Sequence, residues 1–334
     1  MRLTLREKEI VEILKKEPLI AQEELAQRLG IARSSLAVHI SNLMKKGVIL
    51  GRGYVFNERV SGVVFGRSGT EVNVKIGNED GDGYQARIET RFSGFAYRVS
   101  SCLARFGMDV KVLTIMGVDE EGDRLMQTYK NQNVDTAHVY RLAKGRTGKM
   151  VRLSGGGSET WYRDDYDLQA FQSLLEARDW LALNCEWLVV EPVFGEMVVR
   201  RMAHREEEKR PALCTLHRAG EGTEPLPGHL ADFFLLVIGV DRESDIEVWS
   251  KRSMDLLKKG LENVAVTDGN SRVWVGTRQA TVEITLPPNQ VFGTGEGLEY
   301  FLAGMVYGLS QGYQFRQAVR IGSGTASLAE VSSA

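Results

Sequence analysis

The chain has 334 residues, long for one domain, and its 43% hydrophobic and 26% charged content excludes disordered and fibrous classes. No apolar run reaches the ~18–20 residues that span a bilayer, and no signal-peptide core opens the chain, so neither a membrane nor a secreted protein is expected. The net charge of −2 hides an asymmetry, because residues 1–57 hold ten Lys/Arg against six Asp/Glu (+4) and the remainder carries −6.

A basic module on an acidic body suggests that one end meets a polyanion. Within it, Thr4 and Glu7 form a capping box at the head of a helix that runs to Glu17, with Leu5, Ile10, Ile13 and Leu14 near one face. Pro18 ends that helix. A second helix over 21–29 turns Leu25, Ala26 and Leu29 inward, and Gly30 supplies the turn. A third, over 32–46, buries Leu36, Ile40 and Leu43 and stops at Gly47. Two β-rich tripeptides then flank Gly51-Arg52-Gly53, a tight hairpin with a cation at its tip.

Three short helices followed by a hairpin describe a winged helix-turn-helix over 1–57. In that architecture the third helix enters the major groove. Arg33, Ser34, Ser35, His39 and Asn42 are its expected base- and phosphate-reading residues, and Lys45, Lys46 and Arg52 its phosphate contacts. The competing reading is a small helical dimerisation or docking domain. The cationic hairpin straight after the third helix favours double-stranded DNA as the partner.

From residue 62 the pattern alternates strand and helix. GVVFG and TEVNVKIG read as strands, 96–106 as a helix closed by Gly107, DVKVLTIMG as a buried strand and EEGDRLMQTYKNQ as a helix. WLVVEPV, DFFLLVIGV and NVAVTDG continue the strands, and two helices follow Gly297. A mainly parallel sheet covered on both faces is expected, with ligands at the carboxyl ends of its strands. Ser154-Gly155-Gly156-Gly157-Ser158 lacks the Lys and Thr/Ser of a phosphate loop and reads as a hairpin tip. Residues 200–210 read as a solvated helix face. Cys102, Cys185 and Cys214 form no C-x-x-C, so reduced thiols, a cytoplasmic location and no metal are expected.

SGFAYRVSSCLARFGMDVKVLTIMGVDEEG resembles the first signature of the ribokinase-like (PfkB) sugar and nucleoside kinases, and VFGTGEGLEYFLAGMVYGLSQG resembles their second. SSLAVHISNLMKKGVILGRGYVF is similar to the N-terminal extension of a branch that includes pseudouridine kinases. The resemblance implies a three-layer α/β/α domain over 62–334 with a small β lid, and homodimerisation through that lid. It also implies that backbone amides of a G-A-G-D loop hold the transferring phosphate while the aspartate acts as base.

Here that loop reads Gly293-Thr294-Gly295-Glu296-Gly297-Leu298-Glu299, without an aspartate. Asn73 matches the family's sugar-binding aspartate, Ser93-Gly94 its glycine pair and Arg98 the asparagine that follows. Ile238-Gly239-Val240, with Glu243 nearby, stands where K-P-N and a glutamate serve magnesium and phosphate. Thr267-Asp268-Gly269-Asn270-Ser271-Arg272 replaces T-L-G-x-x-G.

These departures lead to the expectation of a transcription regulator whose kinase-shaped domain senses a sugar, a nucleoside or their phosphates. Its expected ligand residues are Asn73, Ser93, Gly94, Arg98, Gly295, Glu296 and Gly297, and no cofactor is expected. Arg98 offers a fixed positive fork for an anionic ligand, or it pairs internally with Glu296 or Glu299. The alternative function is an ATP- and magnesium-dependent kinase with Glu299 as base.

Overall fold

The computed structural model describes residues 4–17, 20–45, 48–51, 55–56, 61–80, 83–155, 157–203, 210–220 and 225–331. The chain divides into two compact units, one ending at Arg59 and the other beginning at Val60.

In the first unit, α1 (Leu5–Lys16), α2 (Gln22–Arg28) and α3 (Arg33–Lys45) precede an antiparallel pair, β1 (Ile49–Gly51) and β2 (Val55–Phe56). Thr4 caps α1 as expected: its hydroxyl accepts from the Glu7 amide at 3.2 Å while Glu7 accepts from the Thr4 amide at 2.7 Å. Ile10, Leu14, Leu25, Leu36, Ile40, Leu43 and Ile49 form the core. Leu5 does not join them, being 83% exposed. Nine residues, about two and a half turns, separate it from Leu14 and send it to the opposite side of α1.

The second unit is built on an eight-stranded sheet. It comprises β3 (Gly62–Phe65), β6 (Val110–Leu113), β11 (Trp187–Val190), β12 (Ala212–Arg218), β13 (Leu235–Gly239), β14 (Asn263–Thr267), β15 (Arg272–Thr277) and β16 (Thr281–Thr285), in the order β16-β15-β14-β13-β12-β11-β3-β6. Strands from β14 to β6 in that order are parallel, whereas β15 and β16 add an antiparallel edge that the sequence reading passed over. Residues alternate between the two faces, as strand geometry requires. Val64, Cys214, Val237 and Ala265 pack under α4 (Phe95–Arg105), α5 (Glu120–Asn131), α10 (Gly297–Ser310) and α11 (Phe315–Val331). Val63, Phe65, Ile238 and Val266 face α6 (Leu168–Ala177), α7 (Asp179–Ala182), α8 (Gly195–Met202) and α9 (Glu243–Lys259). The domain is thus a three-layer α/β/α sandwich.

A four-stranded lid completes it, with the order β10-β9-β4-β5, from β4 (Gly69–Asp80), β5 (Gly83–Ser93), β9 (Gly148–Gly155) and β10 (Ser158–Arg163). The β9–β10 pairing, Gly155 opposite Ser158, places the glycine run at a hairpin tip rather than a phosphate loop. A short parallel pair, β7 (Ile115–Gly117) and β8 (Tyr140–Leu142), lies outside both sheets. Asp119 fastens the lid's root. It caps α5 through the Gly122 amide (2.7 Å) and accepts from both the amide and hydroxyl of Thr147 (2.6 Å each), next to the start of β9. Asp119→Ala is expected to cost about 1–2 kcal/mol, the worth of an N-cap, read as a lower midpoint in urea.

Candidate functional site

Parallel strands in one sheet end on one side, and the residues at those ends face a common cleft. Here β3 leads into Arg67, β11 into Glu191, and β12 ends on Arg218, all three lining a cleft of 390 Å³ beneath the lid. Lid residues Met150, Arg152, Trp161 and Arg163 form its opposite wall, with Tyr166 and Phe171 at one side. Arg67 donates to both oxygens of Glu191, at 2.7 Å from its amide and 2.8 Å from Nε, and lies over the Tyr166 ring at 4.6 Å.

The floor is a charge network. Arg98, on α4, is 6% exposed. It reaches Glu299 (2.8 Å), Glu296 (2.9 Å), Glu71 (3.2 Å) and the Ser93 hydroxyl (2.6 Å). Arg91, on β5, bridges Glu71 (2.8 Å) to both oxygens of Glu296 (2.7 and 2.8 Å), joining lid to α10. Arg218 takes the second oxygen of Glu299 (2.8 Å) and the Gly295 carbonyl (2.9 Å). Arginines 91, 98 and 218 thus balance glutamates 71, 296 and 299.

Burial alone would lower the Arg98 pKa, but Glu299, Glu296 and Glu71 outweigh it and raise it. Burial pushes Glu299 upward, and Arg98 and Arg218 more than reverse this, holding its carboxyl below the usual range. Glu71 is likewise lowered, against its burial, by Ser93, Arg91 and Arg98. Glu296 goes the other way: burial and the neighbouring Glu71 raise it despite Arg98 and Arg91.

Of the expected ligand residues, Ser93, Gly94, Arg98, Gly295 and Glu296 line the cleft together. Two do not. Asn73 stands opposite Glu89 and Arg152 in the lid sheet, with its Oδ1 buried and unpartnered. Strand rise carries it about 7 Å beyond Glu71, the acid on the same face that does reach the floor. Gly297 is the first residue of α10 and packs on Phe292. Of the two readings of Arg98, the geometry matches internal pairing: its guanidinium is taken up by Glu296 and Glu299, and by Glu71 as well, so it is no open fork for an anion. The sequence reading missed Glu71, Arg91, Glu191 and Arg218. Charged residues at the ends of buried strands, as in WLVVEP, are the one local hint.

Two amides of the glycine stretch are taken by the protein's own groups. The Gly293 amide donates to Glu330 Oε1 at 2.5 Å, and the Glu299 amide to the Glu296 carbonyl at 3.1 Å. In the 267–272 turn, Asp268 Oδ1 accepts from the amides of Asn270 (3.1 Å) and Ser271 (2.9 Å). Arg272 is tied to Glu243, which takes up the acid nearest the position expected for magnesium. Among the described residues, no three His, Cys, Asp or Glu side chains gather as metal ligands.

In the small unit Arg33, Ser34 and Ser35 are exposed on α3, while His39 and Asn42 are half-buried on its flanks. Lys46 and Arg52 lie outside the described residues, and of Lys45 only the helical backbone is described.

Comparison with known proteins matches residues 3–49 to the winged helix-turn-helix DNA-binding family and residues 63–210 to the pfkB family of carbohydrate kinases. The large domain is a pfkB domain. The match stops short of the glycine loop at 293–299. The uncharacterized sugar kinase YeiI of Escherichia coli (strain K12) is 27% identical, over 98% of this chain and 94% of its own length. The pfkB domain also shares its fold with Arabidopsis thaliana ribokinase, solved with ribose and ATP (TM-score 0.63, 15% identity, 81% of this chain and 92% of that one). The Methanocaldococcus jannaschii nucleoside kinase is similar as well (TM-score 0.61, 14% identity, 80% and 91%). No helix among the described residues is long and apolar enough to cross a membrane.

Proposed function

We propose that this protein is a DNA-binding transcription regulator whose pfkB domain binds a sugar or nucleoside without phosphorylating it. One observation carries the reading. Glu299, the carboxylate nearest the family's base, has both oxygens engaged by Arg98 and Arg218 at 2.8 Å each. A general base works by taking a proton, and two guanidiniums on the carboxylate weaken its proton affinity. Glu296 beside the glycine loop holds Arg91 and Arg98, cations that the phosphates of ATP would otherwise meet.

The paired cations favour an uncharged ligand over a phosphorylated one. Besides those of the floor, Arg67 is bound to Glu191, Arg146 to Asp164 at 2.6 Å and Arg152 to Glu159 at 2.5 Å. At all of these positions a phosphate would have to displace a carboxylate, leaving Arg163 on the lid wall, 5.8 Å over the Trp161 ring, as a cation it could meet directly; hydroxyls can add to the pairs without breaking them. A ligand seated between lid and floor would act on DNA affinity by favouring one lid arrangement over another.

The test is turnover with ATP and magnesium across a panel of pentoses and nucleosides at high protein concentration. The expected result is no phosphorylated product, with thermal stabilisation by at least one uncharged member of the panel. Product formation abolished by Glu299→Gln would establish the kinase reading instead.

A further inference from the structure

The reading face of α3 has a chemistry of its own. Leu36, Ile40 and Leu43 are 0%, 6% and 0% exposed and fix the inward side of the helix. At about 100° per residue, the side directly opposite is the stripe Ser34, Val38 and Ser41. Both serines are exposed, and Val38 is 58% exposed. Arg33 sits a quarter-turn away from this stripe, 3.8 Å from Glu23. The outermost point of the helix is therefore an isopropyl group between two hydroxyls, not a bidentate donor.

Nothing among the described residues of the small unit explains a solvent-facing valine there. Valine is a poorer helix former than alanine or lysine, so propensity does not select it. Its neighbours in the core do not need it, since it points away from them. Yet the position falls in the first half of α3, the half that meets base edges when such a helix enters the major groove. The groove presents one apolar feature, the 5-methyl group of thymine. Serine hydroxyls on either side can bond to phosphate or to base edges of any type, and add little discrimination of their own.

We infer that Val38 is a specificity-determining residue that packs against a thymine methyl, so that each half-site is centred on an A·T pair. This rests on the DNA-binding reading above and extends it from a class of partner to a base.

The experiment begins with selection of the full-length protein's preferred sequence from a random duplex library. Each thymine of the enriched duplex is then replaced by uracil, which removes only the methyl group. At one position per half-site, uracil is expected to weaken binding about fourfold, the worth of one buried methyl. Val38→Ala should bind the thymine duplex more weakly by a similar factor and be indifferent to uracil at that position. Because Val38 is exposed and alanine is the better helix former, that variant should unfold at or slightly above the wild-type temperature. Equal binding with uracil at every position, or full thymine preference retained by Val38→Ala, overturns the inference while leaving DNA binding intact. Enrichment of no duplex overturns the DNA-binding reading, and this inference with it.

Discussion

Arg98→Ala is expected to destabilise the pfkB domain by about 3–5 kcal/mol, because it strands carboxylates in a buried site. The guanidinium is shared by Glu71, Glu296 and Glu299, of which Glu71 is 0% and Glu299 4% exposed. Removing it leaves Arg91 and Arg218 at the edges and no cation at the centre. For a domain of this size the thermal midpoint should fall by roughly 10 °C, measured by calorimetry at neutral pH. Arg98→Met combined with Glu299→Leu should recover much of the loss, because the pair is then replaced by apolar volume rather than broken. A midpoint unchanged by Arg98→Ala would show that the network is solvated and carries no such energy.

The pH dependence of that effect has a fixed sign. Glu71 and Glu299 have folded-state values below their unfolded ones, so each contributes stability above the unfolded value of about 4.3 and loses it as pH falls through its lowered folded value. The gap between wild type and Arg98→Ala should therefore be widest at neutral pH and close in acid. Glu296 works in the opposite direction: its raised folded value means that folding favours a proton there, and stability falls as pH rises through that window. A network of formally balanced charge thus holds one carboxylate poorly, and that one bridges lid to α10 through Arg91.

What the amino-acid pattern disclosed and what it hid follow from the range of the interactions. The capping box of α1, the core stripe Leu36–Ile40–Leu43 and the apolar runs of β11, β13 and β14 are local, with partners three or four residues away or none required. They were legible. The edge pair β15–β16 was not, because its residues alternate without a long apolar run. The site was legible only in outline. Ser93, Gly94, Arg98, Gly295 and Glu296 could be placed through the family's motifs, but the state of Arg98 depended on Glu299, 201 residues away, and that of Arg67 on Glu191, 124 residues away. No periodicity links such pairs. Asn73 was named through the family's sugar-binding aspartate, whereas the residue of β4 that reaches the floor is Glu71, two positions earlier on the same face.

Gly94 is where sequence and site depend on each other most directly, and Gly94→Ala is expected to cost about 3–5 kcal/mol, combining backbone strain with overpacking. Gly94 joins β5 to α4 with φ of 105°, a conformation that L side chains rarely adopt. A methyl group there would lie 2.6 Å from the Arg67 carbonyl oxygen and 3.0 Å from Ser68 Cα. That carbonyl already accepts from the Ala96 amide at 2.9 Å, so it cannot retreat without uncapping α4. Gly157→Ala supplies the control: φ is 79°, none of the described residues lies within 4 Å of the added methyl, and only the left-handed penalty of about 1–2 kcal/mol applies. Chemical unfolding of the two variants should separate them by a factor of two or more in lost stability. Equal losses would mean that the loop from Arg67 to Ser68 yields freely. In that case the cleft floor, which hangs on Arg67, Ser93 and Arg98 around this glycine, would not be the rigid platform on which a sensing role depends.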